Sequence, residues 1–163
     1  MLRKNQQKKI QSRGSFAIVA SSYNSQFVDA MLRAAKAEFI RAGATVRVVR
    51  VPGAYEIPVV AMKLARASRT THHAPLSAII CLGVILRGQT VHAAHIGDAV
   101  SRALMDIQLE TEVPVIHEVL LLENAEQARV RCLDPEHNRG MEAAQTAMEM
   151  ARVLAGLTSP TGD

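Results

Sequence analysis

Residues 83–90 (GVILRGQT) form the segment whose residue types point most directly to chemistry. They nearly match the phosphate-binding pattern G-x-x-x-x-G-K-[ST], but Gln89 replaces the lysine and the four middle residues are those of a strand. A nucleoside triphosphate site is therefore not expected. Gly88 permits close approach of the backbone, and the N–H groups of Gln89 and Thr90 open a predicted helix whose positive end favours an anion. The segment predicts either a site for the phosphate of a small substrate or a plain tight turn.

His92 lies in the first turn of that predicted helix and is a candidate general base. The helix N-terminus disfavours the imidazolium form, which keeps the ring neutral near pH 7. His95 follows three residues later, but neither Glu nor Cys lies nearby at ligand spacing, so we expect no metal site. His95 is instead expected to be a packed helix residue, and His72 and His73 to be solvated in a polar loop.

Glu56 follows a predicted turn at the start of another helix, directly after Tyr55. The helix dipole stabilises a carboxylate there, so a plain first-turn acid and a substrate ligand are equally good interpretations. Later in the chain, Arg129, Arg131 and Arg139 cluster. Such a cluster is usually solvated surface, yet one guanidinium directed at the anion site would complete a phosphate clamp, from the same subunit or from a neighbour.

Four strand-like runs alternate with helical patterns, and these elements must position the candidate residues. Strands are predicted at 15–22, 45–51, 76–86 and 113–122, and helices at 25–42, 58–68, 90 onward, 124–132 and 140–157. Thr90 is expected to cap the long third helix, and Asn124 with Gln127 to form a capping box. The third helix has a predicted buried stripe of Ile96, Ala99, Val100, Ala103, Leu104 and Ile107. This order predicts a three-layer α/β/α, flavodoxin-like fold with a four-stranded parallel sheet.

Ligands of such folds bind beyond the carboxyl ends of the strands, where the strand order reverses. That rule selects residues 22–24, 53–56, 87–92 and the region 117–123. Both tyrosines of the chain, Tyr23 and Tyr55, fall within these segments. Their position favours a role at a binding site.

The net charge of +4 does not indicate a nucleic-acid partner. Residues 1–14 hold five basic residues and no acid, whereas the rest of the chain has 14 basic and 15 acidic residues. We therefore expect a basic, flexible arm at 1–14, one globular domain at 15–157 and a frayed terminus at 158–163. The five aromatic residues are too few to build a stacking platform for single-stranded nucleic acid.

Composition also argues against a membrane or an extracellular location. The longest uncharged run, residues 74–86, is too short to span a bilayer. Cys81 lies in an apolar run and Cys132 in a helical pattern, so a reduced chain without a disulfide is expected. We therefore expect a cytoplasmic protein with no membrane partner.

Six stretches together resemble one family, that of the 6,7-dimethyl-8-ribityllumazine synthases of riboflavin biosynthesis. They are VASSYN at 19–24, VPGAYEIP at 51–58, LGVILRGQTVH at 82–92, PV at 114–115, EQA at 126–128 followed by Arg131, and NRGMEAA at 138–144. The second and third stretches are highly specific in combination. The resemblance covers residues 15 to about 155 in the right order and spacing.

The resemblance implies condensation of 5-amino-6-(D-ribitylamino)uracil with 3,4-dihydroxy-2-butanone 4-phosphate, with release of phosphate and water and without a cofactor or metal. It also implies small-molecule partners only and an active site between adjacent subunits of a homopentamer, or of its multiples up to 60 subunits. A weakly catalytic or non-catalytic relative that binds lumazine or flavin, or forms an assembly shell, is the alternative.

The resemblance assigns most site residues to one subunit. Tyr23 would stack on the pyrimidine while Asn24 shapes its loop, and the backbone of Val84, Ile85 and Leu86 would meet the uracil edge. The ribityl chain would be held by Ala54, Tyr55 and Glu56. The phosphate would be bound by the N–H groups of Gln89 and Thr90, and protons would be transferred by His92.

The neighbouring subunit would supply Arg131 as a phosphate clamp, with Arg139 and His117 in the same wall. This wall departs from the usual pattern of the family. His117-Glu118 stands where an apolar or aromatic residue and a Gly are usual, and Arg139 replaces a Lys. An imidazole changes packing around the pyrimidine, and a guanidinium differs from an ammonium in shape and hydrogen-bond geometry.

Overall fold

The computed structural model describes residues 14–70 and 75–158. The predicted arm before Gly14, the two histidines at 72 and 73, and the residues after Thr158 lie outside the described residues. The elements are β1 (Ser15–Ser21), α1 (Ser25–Ala42), β2 (Thr45–Val51), a 3-10 helix (Ala54–Glu56), α2 (Ile57–Thr70), β3 (Ala78–Leu86), α3 (His92–Thr111), β4 (Val115–Leu122), α4 (Ala125–Cys132) and α5 (Arg139–Thr158).

The four strands form one parallel sheet in the order β2-β1-β3-β4. One face is covered by α1, α4 and α5, and the other by α2 and α3. The predicted three-layer, flavodoxin-like fold is therefore confirmed. The strand order reverses between β1 and β3, so these two strands flank the switch point at which such sheets bind ligands.

The central strand β3 is buried over Ala78–Ile85, because helices cover both of its faces. This explains its almost continuous apolar sequence. Cys81 within it and Cys132 at the end of α4 are both buried free thiols. Burial raises the pKa of both thiols, that of Cys132 to about 11, so neither is a nucleophile at neutral pH. No helix in the part of the chain that the structure describes is long and apolar enough to cross a bilayer.

Most predicted boundaries hold to within two residues, and α1 and β2 match throughout. The start of α3 is wrong by one residue: Val91, and not Thr90, occupies the N-cap, and no side chain caps this end. Val100, Leu104 and Ile107 of the predicted stripe are buried, but Ala99 is exposed, because the buried face of α3 runs through Ala93 instead. His95 is also exposed and not packed, since it lies away from that face. The 3-10 turn at 54–56 was not predicted, because three residues are too few to show a periodicity.

The predicted cap of α4 is confirmed. Asn124 Oδ1 accepts a hydrogen bond from the backbone N–H of Gln127 at 2.9 Å. Gln127 Oε1 reaches back to the N–H of Glu123, also at 2.9 Å, one residue earlier than in the usual capping box. The pair fixes where α4 leaves the carboxyl end of β4.

Gly140 allows α5 to lie directly against α1. A Cβ built on it would stand 2.0 Å from the carbonyl oxygen of Met31, a backbone atom that cannot move aside. Gly156 lies near the other end of α5, and a Cβ there meets nothing within 4 Å. The close approach of the two helices thus depends on one residue without a side chain.

Gly140→Ala should lower the free energy of unfolding by about 2–3 kcal/mol, because α5 must shift away from the Met31 backbone. Gly156→Ala is the matched control and should raise it by up to about 1 kcal/mol through helix propensity. Urea unfolding at one fixed protein concentration measures both. Equal effects of the two substitutions would contradict the packing role of Gly140.

Candidate active site

The carboxyl end of β3 extends beyond the end of its ladder with β1, and the gap that this leaves beside β3 is the candidate cleft. The β1–β3 ladder ends at the Ala20–Leu82 pair, whereas the β3–β4 ladder continues to Leu86–Leu122. The side of β3 that faces β1 therefore has no strand partner over its last residues. Val84 and Ile85 are buried and Leu86 is half-buried, so this segment offers a ligand its backbone groups and not its side chains.

Asn24 bridges the cleft at its inner end. Its Nδ2 donates to the carbonyl oxygen of Val84 at 2.7 Å. Its backbone has a φ of 54°, in the left-handed region that Asn tolerates better than most residues, and its side chain makes no capping bond to α1. Because successive residues of a strand point their backbone groups to opposite edges, Leu86 presents its N–H and C=O on the same side as Val84.

Tyr23 and Tyr55 lie in the two loops that follow β1 and β2, next to the cleft. The N–H of Tyr23 donates to the carbonyl of Pro52 at 3.0 Å, and that of Ser22 to Val51 at 2.7 Å, which ties the end of β1 to the end of β2. The side chain of Tyr23 is 71% exposed and that of Tyr55 is 64% exposed. Two large rings open to solvent beside a cleft are available to contact a ligand.

The 3-10 helix Ala54–Glu56 positions the only carboxylate among the predicted ligands. It contacts β1, β3, α2 and α3, so it belongs to the same end of the sheet as the cleft. The Glu56 side chain is exposed, and its Oε2 lies 3.0 Å from the place that a Cβ on Gly53 would take. Gly53 thus leaves room for the carboxylate to turn back over the loop.

The loop between β3 and α3 carries the predicted anion site. Arg87 starts it with an N–H bond to Leu122 O at 2.8 Å and an exposed ion pair to Glu123 at 2.6 Å. Gln89 and Thr90 are exposed and lie before α3. The prediction that their N–H groups belong to the start of the helix is therefore wrong. Within the described chain these two N–H groups donate to no protein acceptor. His92, the first residue of α3, is also exposed.

A second group of predicted residues lies elsewhere, along the open edge of β4. A cavity of about 350 Å³ there is lined by His117, Glu118, Val119, Leu120, Leu121, Leu122, Arg131 and Arg139. Six consecutive residues of one strand can share a cavity only from its edge, because their side chains alternate between the two faces. The lining includes none of the residues around the β1–β3 cleft.

Two hydrogen bonds fix the ring of His117. Its Nδ1 accepts from the N–H of Val119 at 3.2 Å, so the proton of the neutral ring belongs on Nε2. Nε2 lies 2.8 Å from Ser101 Oγ, which in turn donates to Gly97 O at 2.7 Å. Burial lowers the pKa of this imidazole, and the ring is therefore neutral near pH 7.

Glu118 and Arg139, two of the residues predicted to depart from the family pattern, form an ion pair whose carboxylate is buried. Arg139 Nη2 and Nε bind the two oxygens of Glu118 at 2.8 and 3.0 Å, and its Nη1 binds Glu142 at 2.6 Å. Glu118 is 5% exposed, and burial raises its pKa, although Arg139 opposes that shift. The carboxylates in turn raise the pKa of Arg139, against the effect of its own burial. Arg131 is exposed and forms no ion pair within the described ranges.

Comparison with known proteins bears on both groups. The family model for 6,7-dimethyl-8-ribityllumazine synthase matches residues 13–155. The chain is 40% identical over 145 residues to the synthase of that name from Stenotrophomonas maltophilia (strain R551-3), covering 87% of this chain and 90% of that one. It is 41% identical, with the same coverage of both chains, to that of Desulfotalea psychrophila (strain LSv54 / DSM 12343). The chain belongs to the 6,7-dimethyl-8-ribityllumazine synthase family.

As a member of this family, the protein is a transferase of riboflavin biosynthesis. It condenses 5-amino-6-(D-ribitylamino)uracil with 3,4-dihydroxy-2-butanone 4-phosphate to give 6,7-dimethyl-8-ribityllumazine, releasing phosphate and water. The relatives named above carry the synthase name, and they give no support to a non-catalytic lumazine-binding protein. No group of three or more metal-ligating side chains gathers in the described part of the molecule.

The structure thus divides the predicted site residues into two groups. The carboxyl ends of β1, β2 and β3 bring together Tyr23, Asn24, Ala54, Tyr55, Glu56, Val84, Ile85, Leu86, Gln89, Thr90 and His92. The edge of β4 holds His117, Arg131 and Arg139. Sequence reasoning missed Ser101 and Glu142 as partners of the second group. Ser101 lies 16 residues from His117, and no local pattern connects them.

Glu118→Gln should alter how stability depends on pH. The raised pKa means that the folded protein holds the Glu118 proton more tightly than the unfolded chain does. This contribution is complete below the ordinary value of 4.5 and is lost as pH rises through the folded pKa. Wild type should therefore lose stability relative to Glu118→Gln as pH rises above 4.5 in urea titrations. A relative gain over that range would contradict the account of burial.

Proposed function

We propose that the complete active site forms between two copies of this chain. The observation that carries the proposal is the separation of the predicted ligands into a cleft at the β1–β3 switch point and a cavity on the β4 edge. Each region is open to solvent and contains only some of the residues that the reaction requires. A neighbour that brings its β4 edge over the cleft completes the site.

The cleft binds the ribitylaminouracil. Tyr23 stacks on the pyrimidine. Tyr55, which is also exposed, helps to hold the ribityl chain. The backbone groups of Leu86 meet the edge of the uracil, in line with the strand edge that β1 leaves open. Glu56 accepts hydrogen bonds from ribityl hydroxyls. His117 of the neighbour covers the pyrimidine with a neutral ring.

The phosphate of the second substrate binds at the β3–α3 loop. The N–H groups of Gln89 and Thr90 donate to it, which is supported by their lack of acceptors in the described chain. The positive end of α3 follows directly, at Val91 and His92. Arg131 of the neighbour adds a guanidinium, and its lack of a carboxylate partner supports this role.

His92 transfers protons while the imine forms and while phosphate leaves. The amine of the uracil substrate is already nucleophilic, so the chain needs no nucleophile of its own. Proximity of two bound substrates and one positioned base supply the catalysis. Because no step requires a metal or redox group, the reaction needs no cofactor.

The assembly is a homopentamer, alone or in multiples up to 60 subunits. A closed ring repeats the cleft-to-edge contact at every interface, which an isolated chain cannot do. The partners are small molecules, and no nucleic acid or membrane is involved. The cytoplasmic location expected from the sequence stays a prediction.

His92→Ala should lower kcat about 100-fold with little change in folding, because the ring is exposed and acts as a proton-transfer group. Arg131→Ala should raise the KM for the butanone phosphate roughly 10–100-fold. Matched controls are His95→Ala and Arg129→Ala, exposed neighbours on the same two helices. Formation of the lumazine product is followed by its absorbance. Loss of activity in a control of the same size would refute the specific roles.

Co-expression of His92→Ala with Arg131→Ala tests whether the site is shared. In mixed rings an interface can pair the intact His92 of one chain with the intact Arg131 of the next. At random mixing about a quarter of the sites regain both groups, so activity should return to about that fraction of wild type. Each variant alone keeps only the low activity expected of its own substitution at low substrate concentration. If mixed rings assemble without regaining activity, both residues belong to one chain.

A further inference from the structure

Four side chains determine the charge of the cavity on the β4 edge. His117 is a neutral ring whose orientation is set by Val119 N–H and Ser101. Arg139 is engaged by the carboxylates of Glu118 and Glu142 through three of its nitrogen atoms. Arg131 remains as the cation without a carboxylate partner in the described ranges. The buried carboxylate of Glu118 is thus the negative charge in the lining, beside two guanidinium groups.

We propose that Glu118 weakens phosphate binding at Arg131 and holds Arg139 back as a positioning residue instead of a second phosphate ligand. The inference rests on the proposed role of Arg131 and goes beyond it, since it assigns to Glu118 the control of how tightly the phosphate is held.

The geometry keeps Arg139 from the phosphate. Both oxygens of Glu118 bind one side of the guanidinium, and Glu142 binds its remaining terminal nitrogen. Moving Arg139 toward a ligand would leave Glu118 buried and without its partner, which is a strongly unfavourable state. Arg139 therefore fixes the carboxylate in the cavity wall and does not contact the phosphate itself.

The charge of Glu118 also acts directly on the ligand. Glu118 and Arg131 line the same cavity, and the positive charge of Arg131 lowers the pKa of Glu118 against the effect of burial. A phosphate bound at Arg131 therefore approaches a carboxylate of like charge in a partly desolvated cavity, where such repulsion is screened less than in water. The reaction begins with a phosphate ester and releases inorganic phosphate. Weaker binding of the dianion favours release of that product.

Inhibition by inorganic phosphate measures this effect in the assembled enzyme. Glu118→Gln keeps the size of the side chain and removes its charge. It should lower the inhibition constant for inorganic phosphate, competitive with the butanone phosphate, roughly three- to tenfold. Glu118→Asp keeps the charge and should stay near the wild-type constant. If the Gln variant does not assemble, Glu118→Gly replaces it, since Gly is the usual residue here in the family.

Glu126→Gln controls for net charge, because Glu126 is exposed on the helix of Arg131 and pairs with Arg129. It should leave the inhibition constant unchanged. An unchanged or higher constant in an assembled Glu118→Gln enzyme overturns the inference, as does an equal decrease in Glu126→Gln. Arg131→Gln separates the two proposals. If it raises the constant while Glu118→Gln does nothing, only this inference fails; if it has no effect, the phosphate role of Arg131 fails.

Discussion

The unequal length of the two ladders on β3 determines where this molecule can bind a ligand. Pairing with β1 stops at Leu82, while pairing with β4 continues to Leu86, so one strand end is supported from one side only. Asn24 closes the inner part of that gap with a side chain in place of a strand. The loops after β1, β2 and β3 surround the rest of this gap. Every residue predicted from the first, second and third sequence stretches lies around it.

A strand with a continuous apolar run and a helix cap with a local pattern could be predicted from the sequence. Contacts between residues distant in the sequence could not. The continuous apolar run of β3 and the Asn124–Gln127 cap are local signals, and the structure confirms both. The start of α3 was placed too early, because Thr90 is a good capping residue that the backbone does not use. The hydrogen bonds from Asn24 to Val84 and from His117 to Ser101 join residues distant in sequence. Nothing in either local segment indicates them.

Glu118 and Arg139, two of the residues predicted to depart from the family pattern, are in direct contact in the structure. They are 21 residues apart in the sequence, where no local pattern relates them. In the structure they form one bidentate pair, and the planar guanidinium matches two carboxylate oxygens as an ammonium cannot. The buried carboxylate is thus paired with the cation best suited to it, and the two residues form one unit in the wall of the cavity.

Three consecutive residues at the start of α5 each attach it to a different element. Asn138 donates to Cys132 O at the end of α4, Arg139 binds Glu118 on β4, and Gly140 lies against Met31 on α1. The connection between Cys132 and Asn138 is therefore fixed at both of its ends. Its own residues are mostly exposed and carry little of the packing. The length of this connection therefore matters more to the position of α5 than the side chains along it.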